Sequence, residues 1–127
     1  MARPIRILLV EDNEVYRSSL ELMLGMQEGL EVVGGVSDGA AAAAACAATG
    51  AEVVLMDLRL PGLDGPAATA ALLEVRPDAA VLCLTAEATE EDVQAMLAAG
   101  ALGIVEKGDS VERLVAAIRA AVPGRAM

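Results

Sequence analysis

Histidine, phenylalanine and tryptophan are absent from this 127-residue chain, and tyrosine occurs once. Without histidine there can be no imidazole metal site and no Ser-His-Asp triad. With one aromatic ring, the interior has to be packed from Leu, Val, Ile, Met and Ala, and the hydrophobic fraction of 56% overstates that core because much of it is alanine. The two cysteines, Cys46 and Cys83, lie far apart and form no CxxC pair. One falls in an alanine-rich helical stretch and the other in an apolar strand, so both read as buried, inert thiols of a reducing compartment. Basic residues are scarce, 9 against 19 acidic, for a net charge of -10. Binding a nucleic-acid backbone needs clustered Lys and Arg to release counterions; no such cluster exists, which argues against nucleic acid as a partner of this domain. Most of the carboxylates read as a solvated surface. No stretch reaches the ~18 apolar residues of a membrane span, and the opening MARPIRILLVED holds too short an apolar run for a signal peptide. A soluble, cytoplasmic protein with no membrane contact is expected.

A chain of this length suits one domain, residues 1–127, since compact domains cluster near ~100–150 residues. Within it two kinds of segment alternate five times. Short β-branched and aliphatic runs predict buried strands at Ile5–Val10, Leu30–Val36, Glu52–Met56, Ala80–Leu84 and Leu102–Val105. Each is followed by a longer stretch with helical spacing. The last is clearest, with Val111, Leu114, Val115, Ile118 and Val122 on one apolar stripe. Thr89 to Asp92 forms a capping-box pattern with acids in the first turn, and Asp109 with Glu112 offers the same for the final helix. Pro66 suits a first helical position; Gly25 or Gly29, Gly50 and Gly100 mark helix ends, and Pro77 and Pro123 block further extension. Alanines 40–45 are a helix able to lie close to a sheet rather than a low-complexity linker. Five βα units imply an α/β architecture: one parallel sheet, doubly wound, with helices on both faces. The chain stops about where the fifth helix ends, so one domain with little to spare is expected.

In such sheets ligands collect outside the carboxyl ends of the strands. There the sequence places Glu11 and Asp12 after the first strand, Asp57 after the third, Thr85 after the fourth and Lys107 after the fifth. Taken singly each has an ordinary reading: Asp12 or Asn13 as a helix cap, Asp57 and Thr85 as turn residues, Lys107 as a surface lysine. Together they form a charge set with a purpose. Three crowded carboxylates would raise one another's pKa unless compensated; a divalent cation plus Lys107 brings their sum to zero. Oxygen ligands with open positions for water and phosphate suit Mg²⁺, and such a site can stabilise charge spreading over a transferred phosphoryl group. Other phosphate chemistries fit worse. The loop after the first strand has no glycine to cradle a dinucleotide, and the P-loop-like spacing of Gly34 and Gly39 has Ala40 where lysine should stand.

The segments ILLVEDNE, VVLMDLRLPGLDG, VLCLTAEA and GIVEKGD, in that order and spacing, resemble the receiver domains of two-component response regulators from Ile5 to about Val122. The turn PGLDG and the run ALGIVEKGDS are most similar to receivers that precede LuxR-type helix-turn-helix output domains. The resemblance implies a flavodoxin-like (βα)5 sheet in strand order 2-1-3-4-5. It further implies that Asp57 accepts a phosphoryl group from a sensor histidine kinase, and that Asp12 and Asp57 ligate Mg²⁺ with the backbone carbonyl of Arg59, Glu11 acting through water. Lys107 would contact the phosphoryl group and pair with Asp57. Thr85 would be the switch hydroxyl, and the face of the fourth helix, fifth strand and fifth helix would change for homodimerisation or output. On this reading the domain is a signalling module, not an enzyme, and its output is transcription through a DNA-binding domain outside this chain.

Two positions depart from that family's pattern: Ile104 stands where an aromatic is frequent, and Gly108 where proline with a cis peptide is usual. Because a cis bond without proline costs ~2.5–4 kcal/mol, a trans bond is expected, with a less firmly placed lysine. These departures keep a pseudo-receiver, working without phosphorylation, as the alternative. Arg59 and Glu87 flank the site and are a candidate ion pair over its entrance, against a reading as two solvated charges. A hydrolase of the aspartyl-phosphate type is disfavoured, because Asp12 is followed two residues on by Glu14 rather than by a second aspartate.

Overall fold

In the computed structural model, which describes residues 3–123, strands and helices alternate throughout the described residues. They are β1 (Ile5–Val10), α1 (Glu14–Gly25), β2 (Leu30–Val36), α2 (Ala42–Thr49, entered through a short 3-10 turn at Gly39–Ala41), β3 (Val53–Asp57), α3 (Gly65–Val75), β4 (Ala80–Thr85), α4 (Glu90–Ala99), β5 (Gly103–Glu106) and α5 (Val111–Ala121). All strand pairs are parallel, and the order across the sheet is β2-β1-β3-β4-β5, as the resemblance implied.

Alternation along each strand splits the core into two layers. Ile5, Ile7 and Leu9 of β1, Val53 and Leu55 of β3, and Leu82 and Leu84 of β4 face Leu20 and Leu24 of α1 and Leu114, Val115 and Ile118 of α5. Leu8 and Val10, Val54 and Met56, and Val81 and Cys83 face the other way, onto Ala42 and Cys46 of α2, Ala68 and Leu72 of α3 and Met96 of α4. Each fully buried aliphatic side chain contributes about 1.5–3 kcal/mol relative to exposure. The alanine run does what its small side chains suggest, with Ala42 and Cys46 wholly buried on the sheet. Both cysteines are free and buried.

The strand ends differ from expectation by one residue. β3, β4 and β5 run on to Asp57, Thr85 and Glu106, where the apolar pattern predicted ends at Met56, Leu84 and Val105. Ladder pairing depends on backbone, not side-chain polarity, and continues through Asp57↔Leu84 and Thr85↔Glu106. Two polar residues of interest are therefore the last members of strands rather than loop residues. Helix signals also shifted. Ser110, not Asp109, caps α5 by accepting from the Arg113 N–H; the Asp109 N–H instead closes a turn onto the Glu106 carbonyl. Pro66 is the second residue of α3, whose cap is Asp64. The Thr89–Asp92 capping box is present on α4, and Gly50 and Gly100 end α2 and α4 in the left-handed conformation. α1 keeps Gly25 as its last residue, while Gly29 makes the turn into β2. No peptide bond among the described residues is cis, that before Gly108 included. No helix among them is long and apolar enough to cross a membrane. The expected domain limits, residues 1 and 127, lie outside the described residues.

Candidate functional site

Parallel strands deliver all their carboxyl ends to one rim, and the order of the sheet decides which ends are neighbours. β3 lies at the centre, so Asp57 stands between the ends of β1 and β4 and is 7% exposed. Glu11, buried, and Asp12, exposed, follow β1 directly. One carboxylate oxygen from each of Glu11, Asp12 and Asp57 lies within 4.8 Å of the others. Lys107 follows β5, two strand spacings of ~4.8 Å from β3, a gap that only a long side chain closes. Its Nζ lies 3.3 Å from Asp57 Oδ2 and in contact with Glu11 Oε1. Burial works against the Lys107 charge, but the hydrogen bond to Glu11 and the fields of Asp57 and Glu11 outweigh it and hold the ammonium above the ordinary lysine range.

The start of α1 keeps Glu11 in place. Glu11 Oε2 accepts from the Asn13 N–H at 2.9 Å, its carbonyl accepts from Arg17 Nη1 at 2.6 Å, and Asn13 caps the helix by accepting from the Tyr16 N–H. Because Asn13 takes the capping role, Asp12 is left to point its charge at the cluster. Three carboxylates and one lysine leave a net charge of -2 around a set of oxygen donors. That fits a divalent, oxygen-preferring cation and fits neither a soft metal nor an anion.

Thr85 ends β4 beside this cluster and is 3% exposed. Its hydroxyl is engaged within its own loop, donating to the Glu87 carbonyl at 2.9 Å and accepting from the Glu87 N–H at 3.2 Å. Ile104 shares a groove with Thr85, Val93 and Glu106. The suggested Arg59–Glu87 pair is not what forms: Arg59 Nη2 reaches Asp92 Oδ2 at 3.0 Å. Asp92 is the better partner because the capping box already fixes it. The Thr89 N–H, together with the Thr89 hydroxyl and Arg59, outweighs partial desolvation and holds that carboxyl below the usual range.

Two residues at the site escaped the sequence reading. Asn13 was named only as one of two capping options, yet it supports Glu11. Tyr16 was not singled out, although Lys107 Nζ sits 4.7 Å from the centroid of its ring. The signal was present, since the one aromatic residue of the chain lies four residues after the Glu11–Asp12 pair's second acid.

Comparison with known proteins agrees with this geometry. The profile described as response regulator receiver domain matches residues 7–119. The chain is 36% identical over 122 residues to the response regulator UvrY of Escherichia coli O6:H1, covering 95% of this chain and 56% of UvrY, so it spans about half the length of that relative. A LuxR-family two-component response regulator from Aurantimonas sp. SI85-9A1 superposes with a TM-score of 0.89 at 31% identity, over 96% of this chain and 87% of that one. The receiver domain of the sensor histidine kinase PA1611 from Pseudomonas aeruginosa PAO1, solved with a magnesium ion coordinated in its active-site cleft, gives a TM-score of 0.82 at 32% identity, covering 94% and 98%. By sequence, fold and the layout of its acidic rim, this chain belongs to the receiver-domain family of two-component response regulators.

Proposed function

We propose that Asp57 is the phosphoacceptor of this receiver and that a sensor histidine kinase is the donor. The observation that carries this reading is the meeting of Glu11, Asp12 and Asp57 within 4.8 Å with the Lys107 ammonium against Asp57. In the transfer, an Asp57 carboxylate oxygen forms a bond to phosphorus as the phosphorus–nitrogen bond of the donor phosphohistidine breaks. The electron pair leaves with the imidazole nitrogen, which takes up a proton. Lys107 balances charge accumulating on the phosphoryl oxygens in a partly dehydrated setting, where such compensation is strongest. Asp12 and Asp57, the backbone carbonyl of Arg59, and Glu11 through water are the groups that would hold Mg²⁺, whose charge would offset that of the acids and of the incoming phosphate.

Thr85 is the switch residue. To donate to a phosphoryl oxygen its hydroxyl must give up the hydrogen bond it donates to the Glu87 carbonyl, so one tie of the loop after β4 is released at the same step. The change is a shift between two packings, driven by better contacts to the phosphoryl group in one of them. With Ile104 lining the neighbouring groove, coupling to the α4–β5–α5 face runs through loop movement rather than an aromatic ring. We take residues 1–127 as a cytoplasmic receiver domain acting as a signalling module rather than as an enzyme on other substrates. Homodimerisation and control of transcription through a DNA-binding domain are its proposed outputs.

Mass measurement after incubation with Mg²⁺ and acetyl phosphate tests the reading. One phosphoryl adduct is expected, absent without Mg²⁺ and absent in Asp57→Ala. Failure of the wild-type chain to gain an adduct from either acetyl phosphate or a kinase would replace this reading with a pseudo-receiver, to which Ile104 and Gly108 already lean.

A further inference from the structure

Among the described residues the Lys107 ammonium meets, besides two carboxylates, the single aromatic ring of the sequence. We propose that Tyr16 is a positioning residue for phosphoryl acceptance: the face of its ring holds the Lys107 ammonium over the acidic rim, aimed at Asp57. The proposal rests on the phosphoacceptor reading of Asp57 and adds a residue to it.

The backbone around Lys107 does little to aim its side chain. The Lys107 N–H is tied to the Thr85 carbonyl at 2.7 Å, and a turn closes from Asp109 to Glu106, but the next residue is Gly108, with nothing within 4 Å of where a Cβ would stand. A lysine has four side-chain torsions to restrain. Tyr16 and Lys107 line one small pocket together with the apolar side chains of Leu84, Val105 and Leu114. The ring itself is held by the start of α1. The Tyr16 N–H donates to Asn13 Oδ1, and the Asn13 N–H donates to Glu11 Oε2, each at 2.9 Å, so the π face and the Glu11 carboxylate that share Lys107 are parts of one frame.

A ring also suits the chemistry better than another acid would. The electron-rich face attracts a cation through its quadrupole without adding net negative charge where a phosphate must approach. Burial, with Glu11 and Asp57 adding to it against Lys107, raises the phenol above its ordinary range, so the side chain stays neutral. When the phosphoryl group arrives and competes for Lys107, the ring keeps the ammonium at the rim without being displaced from it.

The test varies the ring's electron density at constant shape. Tyr16→Phe keeps the face and sets the reference rate of phosphorylation by acetyl phosphate at saturating Mg²⁺. Phenylalanines carrying one, two and three fluorines at position 16 draw density from the face. The rate is expected to fall stepwise along that series, and Tyr16→Leu to fall about 3- to 30-fold below Tyr16→Phe. Ring-current displacement of the Lys107 ε-methylene signals should be present in Tyr16→Phe and lost in Tyr16→Leu. A rate that stays flat across the fluorinated series, or a Tyr16→Phe rate already as low as that of Tyr16→Leu, overturns the proposal while leaving Asp57 as acceptor. A wild-type chain that takes no phosphate overturns the acceptor reading itself, and the role of Tyr16 with it.

Discussion

Charge placement on single side chains sets the behaviour of this rim. Lys107 is shared between Glu11 and Asp57, so Asp12 is the acid without a cationic neighbour in the cluster. At separations within 4.8 Å, like charges repel appreciably even when partly solvated. Without divalent cation, Asp12→Asn is therefore expected to raise the midpoint of thermal unfolding by a few degrees, about 2–5 °C for a domain of this size. Adding Mg²⁺ should stabilise the wild type and leave Asp12→Asn nearly unmoved. Melting curves with and without Mg²⁺ check both; a variant less stable than wild type in the absence of the ion would show that Asp12 serves the fold rather than the cation. At this scale the placement of the acids, threonine and lysine at strand ends was legible in the sequence. The sequence said less about Tyr16, because an aromatic in a helix is ordinarily core, and only the position of the neighbouring lysine reveals another use.

Elements meet at the site through very close backbone approaches. A Cβ on Gly39 would come within 1.7 Å of the Leu63 carbonyl oxygen, and the Gly39 N–H donates to the Pro61 carbonyl at 3.1 Å. The turn entering α2 is thus pressed against the loop that leaves β3 and carries Arg59. Gly65 is also crowded, though less severely, with the Asp57 carbonyl oxygen 2.7 Å from its would-be Cβ. Gly39→Ala should push the loop after β3 outward, destabilising the fold by about 1–3 kcal/mol, as overpacked sites do, and slowing phosphorylation at Asp57. Urea unfolding and the acetyl phosphate rate measure the two effects; an alanine variant as stable as wild type would mean that the loop yields without cost. Strands were legible as apolar runs and helices as periodic ones. Their ends were not, since the ladder carries on through Asp57, Thr85 and Glu106 regardless of side-chain character. Nor was the choice of Ser110 over Asp109 as the α5 cap, because both side chains can do the chemistry and the first helical residue decides between them. The partner of Arg59 was missed for a related reason. Glu87 is near in pattern, but Asp92 is already held by the capping box and costs less to order.

At the scale of the whole molecule, the central strands should open only when everything opens. Cys83 is fully buried in β4, one residue along the paired strand from the level of Asp57. Burial, with smaller contributions from the carboxylates of Asp57 and Asp92 and an opposing one from Lys107, pushes its thiol up to about 12 from an ordinary 9.0. The sign is that of a raised pKa. The contribution to stability is fully present below pH 9 and is lost as pH climbs from there through 12, because the unfolded chain ionises a thiol that the folded one keeps neutral. At pH 8, alkylation of Cys83 should therefore proceed only at the rate set by global unfolding and become immediate beyond the urea midpoint. Labelling followed by mass spectrometry checks this, and fast labelling in the absence of urea would reveal a local opening of β4.

The sequence alone determined the kind of protein this is. Apolar runs alternating with stretches of 3.6-residue periodicity dictate βα units, parallel units dictate a common rim for the strand ends, and the residues after those ends put acids, a threonine and a lysine on that rim. These are local properties, written in nearest neighbours along the chain. Which groups touch was decided only by the tertiary structure: Lys107 between Glu11 and Asp57, the Tyr16 ring against that lysine, and Arg59 on Asp92 rather than Glu87. Those contacts join residues tens of positions apart, and their distances depend on strand order, helix start points and side-chain reach, none of which is carried by any single stretch of sequence.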